Sequence, residues 1–139
     1  MAVSEKTKEI LVHLSRRPGH DEVKADFRSL LTEEFGADIQ SVDFERRVPE
    51  VRGRIDALIG RTVFEAKSNL DREWPDVARR MPDYLADRER EESERFVGIA
   101  SDGLKWAVFE LRNGELDKIK ESFLIPTKEN CFSLGLTAR

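Results

Sequence analysis

The feature that most constrains this chain is that its hydrophobic pattern changes period along its length. Up to about Phe35 the apolar side chains recur at helical spacing. Ile10, Leu11 and Leu14 share one helical face, and Ser4 is placed to cap a helix running to about Arg17. Pro18-Gly19 breaks it. Val23, Phe27, Leu30, Leu31 and Phe35 predict a second helix from Asp21 to Phe35, with Gly36 placed to end it.

The period then becomes two. Val42, Phe44 and Val48 mark a strand over 41–48, and Pro49 to Gly53 is a turn region. Ile55, Ala57 and Ile59 alternate with Arg54, Asp56 and Leu58, Gly60-Arg61 makes a tight connection, and 62–68 reads as a third strand. These segments form an expected antiparallel meander. From Asp71 to about Glu94 the spacing is helical again, with Trp74, Val77, Ala78, Met81 and Leu85 on one broad face. Pro75 suits an early helical position, whereas Pro82 is expected to kink or divide the helix. Short strands follow at 96–100 and 105–111. Asn113-Gly114 is a hairpin turn signal, and 116–125 is its return strand. The tail after Pro126 has no clear period.

The order ααβββαβββ predicts an α/β or α+β domain with a central mixed sheet flanked by helices. At 139 residues, without repeats or linkers, the chain is read as one domain with its core at about 20–125. Eight Phe and many Val, Ile and Leu argue against a disordered chain. The lone Cys131 excludes an internal disulfide and a cysteine-rich zinc site, and reads as a partly buried thiol. No stretch approaches the ~18 apolar residues of a membrane span, and the N-terminus lacks a signal-peptide core. A cytoplasmic, reducing environment with no membrane partner is therefore expected. Net charge is -4, which argues against a tight, sequence-blind DNA binder but not against a catalytic module.

Chemistry concentrates in residues 53–68, GRIDALIGRTVFEAKS. Strand alternation puts Glu65 and Lys67 on one side and Ala66 on the other. A turn at Gly60-Arg61 brings Asp56 opposite Glu65. Adjacent carboxylates repel, so one tends to keep its proton, and a hard divalent cation removes the conflict. Lys67 is then placed to position the attacking water or to stabilise charge on a phosphate. The competing reading is a salt bridge on a solvated edge strand. Glu22-Val23-Lys24 repeats the tripeptide on a predicted helix, where residues two apart point about 200° apart and cannot converge on one ion.

Asp56, eight intervening residues and Glu65-Ala66-Lys67 at the end of an apolar strand resemble the PD-(D/E)xK nuclease superfamily. More narrowly, residues 20–111 are similar to the nuclease domain at the N-terminus of restriction-modification polypeptides. The residues carrying that likeness are Glu22, Glu45, Gly53-Arg54-Ile55-Asp56, Glu65-Ala66-Lys67 and Ser101-Asp102-Gly103-Leu104-Lys105-Trp106. The resemblance implies a restriction endonuclease-like core and a Mg²⁺-dependent DNA endonuclease, with Mn²⁺ able to substitute. It implies Asp56 and Glu65 as metal ligands, Lys67 serving the water, and Glu22 completing the acidic cluster. Two departures stand out: Ile55 precedes Asp56 where Pro is common, and Arg80 stands where Gln would precede Tyr84.

Between Arg46 and Arg72 seven cations face four acids, so this segment is basic in an acidic chain. Arg54, by parity with Asp56, is the leading candidate for phosphate contact, with Arg52 beside it and Arg80 on the later helix. The competing readings are solvated charges for the arginines and an exposed first-turn acid for Glu22. His13 and His20 read as a helix-surface and a loop or cap residue, and Trp74 and Trp106 as core. Two functional alternatives stand beside the endonuclease. One is an inactive nuclease-fold module binding nucleic acid or protein. The other is a fragment or subunit of a larger restriction-modification enzyme. A double-strand cut needs two sites, which a homodimer would supply.

Overall fold

The computed structural model describes residues 5–33, 42–48, 53–126 and 132–138. The expected cap at Ser4, the helix end at Phe35-Gly36, Arg52 and Cys131 lie outside them. Among the described residues the chain is α+β, with three helices and a mixed sheet. The elements are α1 (Glu5–Ser15), α2 (His20–Glu33), β1 (Val42–Val48), β2 (Gly53–Ile59), β3 (Thr62–Ala66), α3 (Leu70–Glu92), β4 (Val97–Ser101), β5 (Lys105–Arg112), β6 (Glu115–Pro126) and β7 (Phe132–Ala138). The strands lie side by side in chain order. Neighbours are antiparallel except β3 and β4, which are parallel. A parallel pair needs a long crossover, and α3 is that crossover. No helix is long and apolar enough to cross a membrane among these residues.

Alternation along β3 separates two cores. Val63 packs with Leu70, Val77, Met81 and Leu85 of α3, together with Ala107 and Phe109 of β5. Phe64 and Ala66, on the opposite face, pack with Ile10 and Leu14 of α1 and Val23, Phe27, Leu30 and Leu31 of α2. The helices therefore cover both faces, in three layers. Aromatic edges lock the second core: Phe27 lies 5.1 Å from Phe64 and 5.9 Å from Trp106 between ring centroids. His13 does more than decorate α1, since its Nδ1 meets Asp26 of α2 and ties the two helices.

Two details depart from the expected pattern. The strand order is ααβββαββββ, because the tail after Pro126 supplies β7 against the long β6. α3 is also undivided at Pro82. A mid-helix Pro removes one backbone hydrogen bond, yet Met81, Tyr84 and Leu85 are buried around it, and that burial holds the helix together. The helix starts cleanly. Asn69 accepts from the Arg72 N–H at 3.3 Å, and Glu73 accepts from the Asn69 N–H at 2.9 Å.

The segment 101–106 binds the layers together. Buried Asp102 accepts from the N–H groups of Leu70, Leu104 and Lys105 and pairs with Arg17 at 2.8 Å. Next to it Gly103 has φ +93, and a Cβ there would lie 2.6 Å from Leu14 Cδ1. Gly103→Ala combines a left-handed backbone with overpacking, so a loss of roughly 2–4 kcal/mol is expected. An unchanged midpoint in urea denaturation would refute that account of the turn.

Candidate functional site

The β2–β3 hairpin builds the site. Its ladder pairs Ile59 with Thr62, Leu58 with Val63 and Ala57 with Phe64, as a turn at Gly60-Arg61 requires. The next pair along is Asp56 and Glu65, and there side chains take over from backbone. Asp56 donates its N–H to Glu65 Oε1 at 3.3 Å. Ala66 donates its N–H to Asp56 Oδ2 at 2.8 Å. Each carboxylate thus satisfies a donor on the facing strand that would otherwise need another partner.

β2 turns over at this point. Ile55 packs in the α3-side core, whereas Ala57 packs in the α1–α2 core. Residues two apart on a regular strand share a face, so the strand twists between them, at Asp56. Parity alone places Asp56 with Glu65 and Lys67. The structure instead sets Asp56 at the seam between layers, where its Oδ1 meets Lys24 Nζ of α2 at 3.4 Å. Glu65 and Lys67 keep their common side: Lys67 Nζ donates to Asp76 Oδ2 of α3 at 2.5 Å.

Burial and charge tune these groups against one another. Desolvation, then the neighbouring Asp56 charge, holds the Glu65 carboxyl well above the usual glutamate range. Burial on its own would lower Lys67. The Asp76 hydrogen bond and the charges of Glu65, Asp76 and Asp56 outweigh it and raise the ammonium instead. Asp76 is the mirror case. Burial would raise it, but hydrogen bonding and charge from Lys67, with hydrogen bonds from Arg80 and Arg79, bring it down to about 2. Strongly shifted groups gathered in one place mark a functional candidate.

The Asp76 shift carries a stability consequence. Its folded carboxyl ionises more readily than the unfolded one, so the stabilisation is present above the unfolded value of 3.8 and is lost as pH falls towards about 2. Asp76 is one-third exposed, which weakens the effect by solvent screening. Asp76→Asn is therefore expected to lower stability by about 1–2 kcal/mol at pH 6 and by much less near pH 2. Denaturant titrations of both proteins at the two pH values check this.

Asp56 and Glu65 thus meet through hydrogen bonds across the hairpin, with the Asp56 carboxylate turned towards α2 and Lys67 turned towards α3. Glu22 lies exposed on the first turn of α2. From the same helix it is Lys24 that reaches Asp56. Among the described residues no group of three or more metal-ligating side chains gathers. Arg54 is exposed, and its backbone is gripped by Tyr84, whose hydroxyl accepts from the Arg54 N–H at 3.1 Å and donates to its carbonyl at 3.3 Å. Arg80 Nε donates to Asp76 Oδ1 at 3.1 Å. Asp76 and Lys24 were not among the residues the sequence singles out for the site. The helical spacing of Asp76 with Arg79 and Arg80 was the available signal for the first. No family model, curated protein or solved structure matches this chain.

Proposed function

We propose that this chain is a PD-(D/E)xK-type endonuclease module, with a restriction endonuclease-like core, that hydrolyses DNA phosphodiesters with Mg²⁺ or Mn²⁺. The observation that carries the reading is the interlock of Asp56 and Glu65 at the break in the β2–β3 ladder, with the Lys67 ammonium beside it. Asp56 and Glu65 would hold the cation. Mg²⁺ takes one or two protein carboxylates and leaves its other positions to water and phosphate, so a two-acid set suits it. When bound, it would neutralise the paired carboxylates and withdraw charge from a phosphate oxygen.

Lys67 acts as a donor in this reading. Its raised proton affinity makes it a poor base, and an ammonium carries three donors. Asp76 takes one, leaving the others to orient a water or a phosphate oxygen. Tyr84 fixes the β2 backbone two residues before Asp56. Exposed Arg54 on β2, and Arg79 with Arg80 on α3, would supply positive charge for backbone phosphates. Supercoiled plasmid DNA with Mg²⁺ or Mn²⁺ tests the reading. Conversion to nicked or linear forms is expected, and a wild-type protein that leaves the plasmid intact counts against it.

A second reading has a specific observation behind it. Asp56 already pairs with Lys24, and Asp76 with Lys67, so the carboxylates are largely balanced by the protein's own ammonium groups. A nuclease fold that binds nucleic acid or a partner protein without cutting would need no more. Such a module shows no carboxylate-dependent heat when titrated with Mn²⁺.

A further inference from the structure

We infer that Asp76 is a positioning residue: from α3 it holds the Lys67 ammonium in place and keeps it from falling back on Glu65. The inference rests on the reading of Lys67 as the donor to the reacting groups. Lys67 is fixed at both ends. Its backbone N–H, one residue past β3, donates to the Ser101 carbonyl of β4 at 2.9 Å. Its Nζ donates to Asp76 Oδ2 at 2.5 Å. The side chain between them is only 8% exposed. Little water can therefore take over if that acceptor is lost, and an unpaired ammonium there would be costly.

Asp76 is itself held. Its Oδ1 accepts from Arg79 Nη2 at 2.9 Å and from Arg80 Nε at 3.1 Å. The next residue, Val77, is buried in the core under α3, which fixes how the helix presents position 76. The two oxygens are thus divided, one serving the arginines of α3 and the other serving Lys67. The choice of partner is informative. Glu65 lies two residues from Lys67 on the same side, and is the nearer acid along the chain. Its Oε1 takes the Asp56 N–H instead, and the ammonium goes to α3. Without Asp76 the buried ammonium must find another acceptor, and Glu65 is the acid at hand. A shift of about an ångström in a group that has to be aligned for reaction can cost about a hundredfold. Asp76 need touch neither DNA nor a cation, because it acts through Lys67.

A double-mutant cycle tests this, with plasmid nicking by the full chain measured across DNA concentrations and circular dichroism to confirm folding. Its members are wild type, Asp76→Asn, Lys67→Met and the double variant. Asp76→Ala repeats the cycle, so either substitution can report if the other folds poorly. Each Asp76 variant is expected to lose at least about tenfold in maximal rate. The half-saturating DNA concentration should stay level or fall, because Arg79 and Arg80 are released to meet phosphates. In the Lys67→Met background the same substitution is expected to cost nothing further, since the group it positions is gone. A purely structural role would cost the same factor in both backgrounds. If the losses multiply, or if both Asp76 variants cut at the wild-type rate, the inference is overturned while the nuclease reading stands. If wild type leaves the plasmid intact with Mg²⁺ and with Mn²⁺, the nuclease reading fails and the inference falls with it.

Discussion

Asp56→Asn and Lys67→Met are each expected to reduce DNA cleavage at least about a hundredfold, the scale of losing one preorganised electrostatic group. Neither should unfold the protein. Asn retains an oxygen that can accept from the Ala66 N–H, so the hairpin contact at 2.8 Å survives while the charge is lost. Met preserves the buried stem of Lys67, and Asp76 keeps Arg79 and Arg80 as partners. The two variants should differ in kind. Asp56→Asn removes a proposed cation ligand, so excess Mn²⁺ is expected to recover part of the activity. Lys67→Met removes a donor to the reacting groups, so no metal concentration should recover it, and DNA binding measured with Ca²⁺ should be unchanged. Lys67→Arg is an informative intermediate, because a planar guanidinium does not replace a compact ammonium at a buried position. Plasmid cleavage by either neutral variant at the wild-type rate would sink the proposed function.

The local parts of this design can be read from the chain, and the cross-layer parts cannot. Helical spacing at Val23, Phe27, Leu30 and Leu31 marks the buried face of α2, and those residues do form its core contact. Turn chemistry at Gly60-Arg61 was enough to set the hairpin register, since a short loop admits one pairing. The β7 strand was missed although Phe132, Leu134 and Leu136 alternate, because Gly135 and the preceding Pro126 dilute a short signal. Strand parity failed at Asp56. It assumes a regular pleat, and the twist that redirects this side chain arises from tertiary packing of Ile55 under α3 and Ala57 under α2. The same limit hid Asp76 and Lys24. Each reaches the site from a different helix, and no spacing along the chain records that two helices bracket one hairpin.

Glu65→Gln should stabilise the metal-free protein at neutral pH while abolishing its response to Mg²⁺. Burial and the nearby Asp56 charge raise the folded Glu65 carboxyl above its usual value of 4.5. The folded state therefore holds its proton longer than the unfolded chain does. The stabilisation tied to that proton is fully present below 4.5 and is lost progressively as pH rises through the folded value. Gln has no proton to lose and can still accept from the Asp56 N–H through its amide oxygen. The variant's stability should consequently stay flat where wild type declines, giving a gain of roughly 1–2 kcal/mol at pH 8, the usual size of a trade between stability and function. At pH 4 the two proteins should nearly coincide. Added Mg²⁺ should reverse the order at high pH. A cation at about a hundredfold its dissociation constant stabilises the wild type by about 2.7 kcal/mol, and the variant, lacking a charged ligand, gains little. Thermal or urea unfolding of both proteins across pH 4–8, with and without Mg²⁺, reads all of this at once. A Gln variant less stable than wild type at pH 8 without metal would mean that the ionised carboxylate holds the hairpin together. The strained acid pair would then not be the feature on which the proposed chemistry depends.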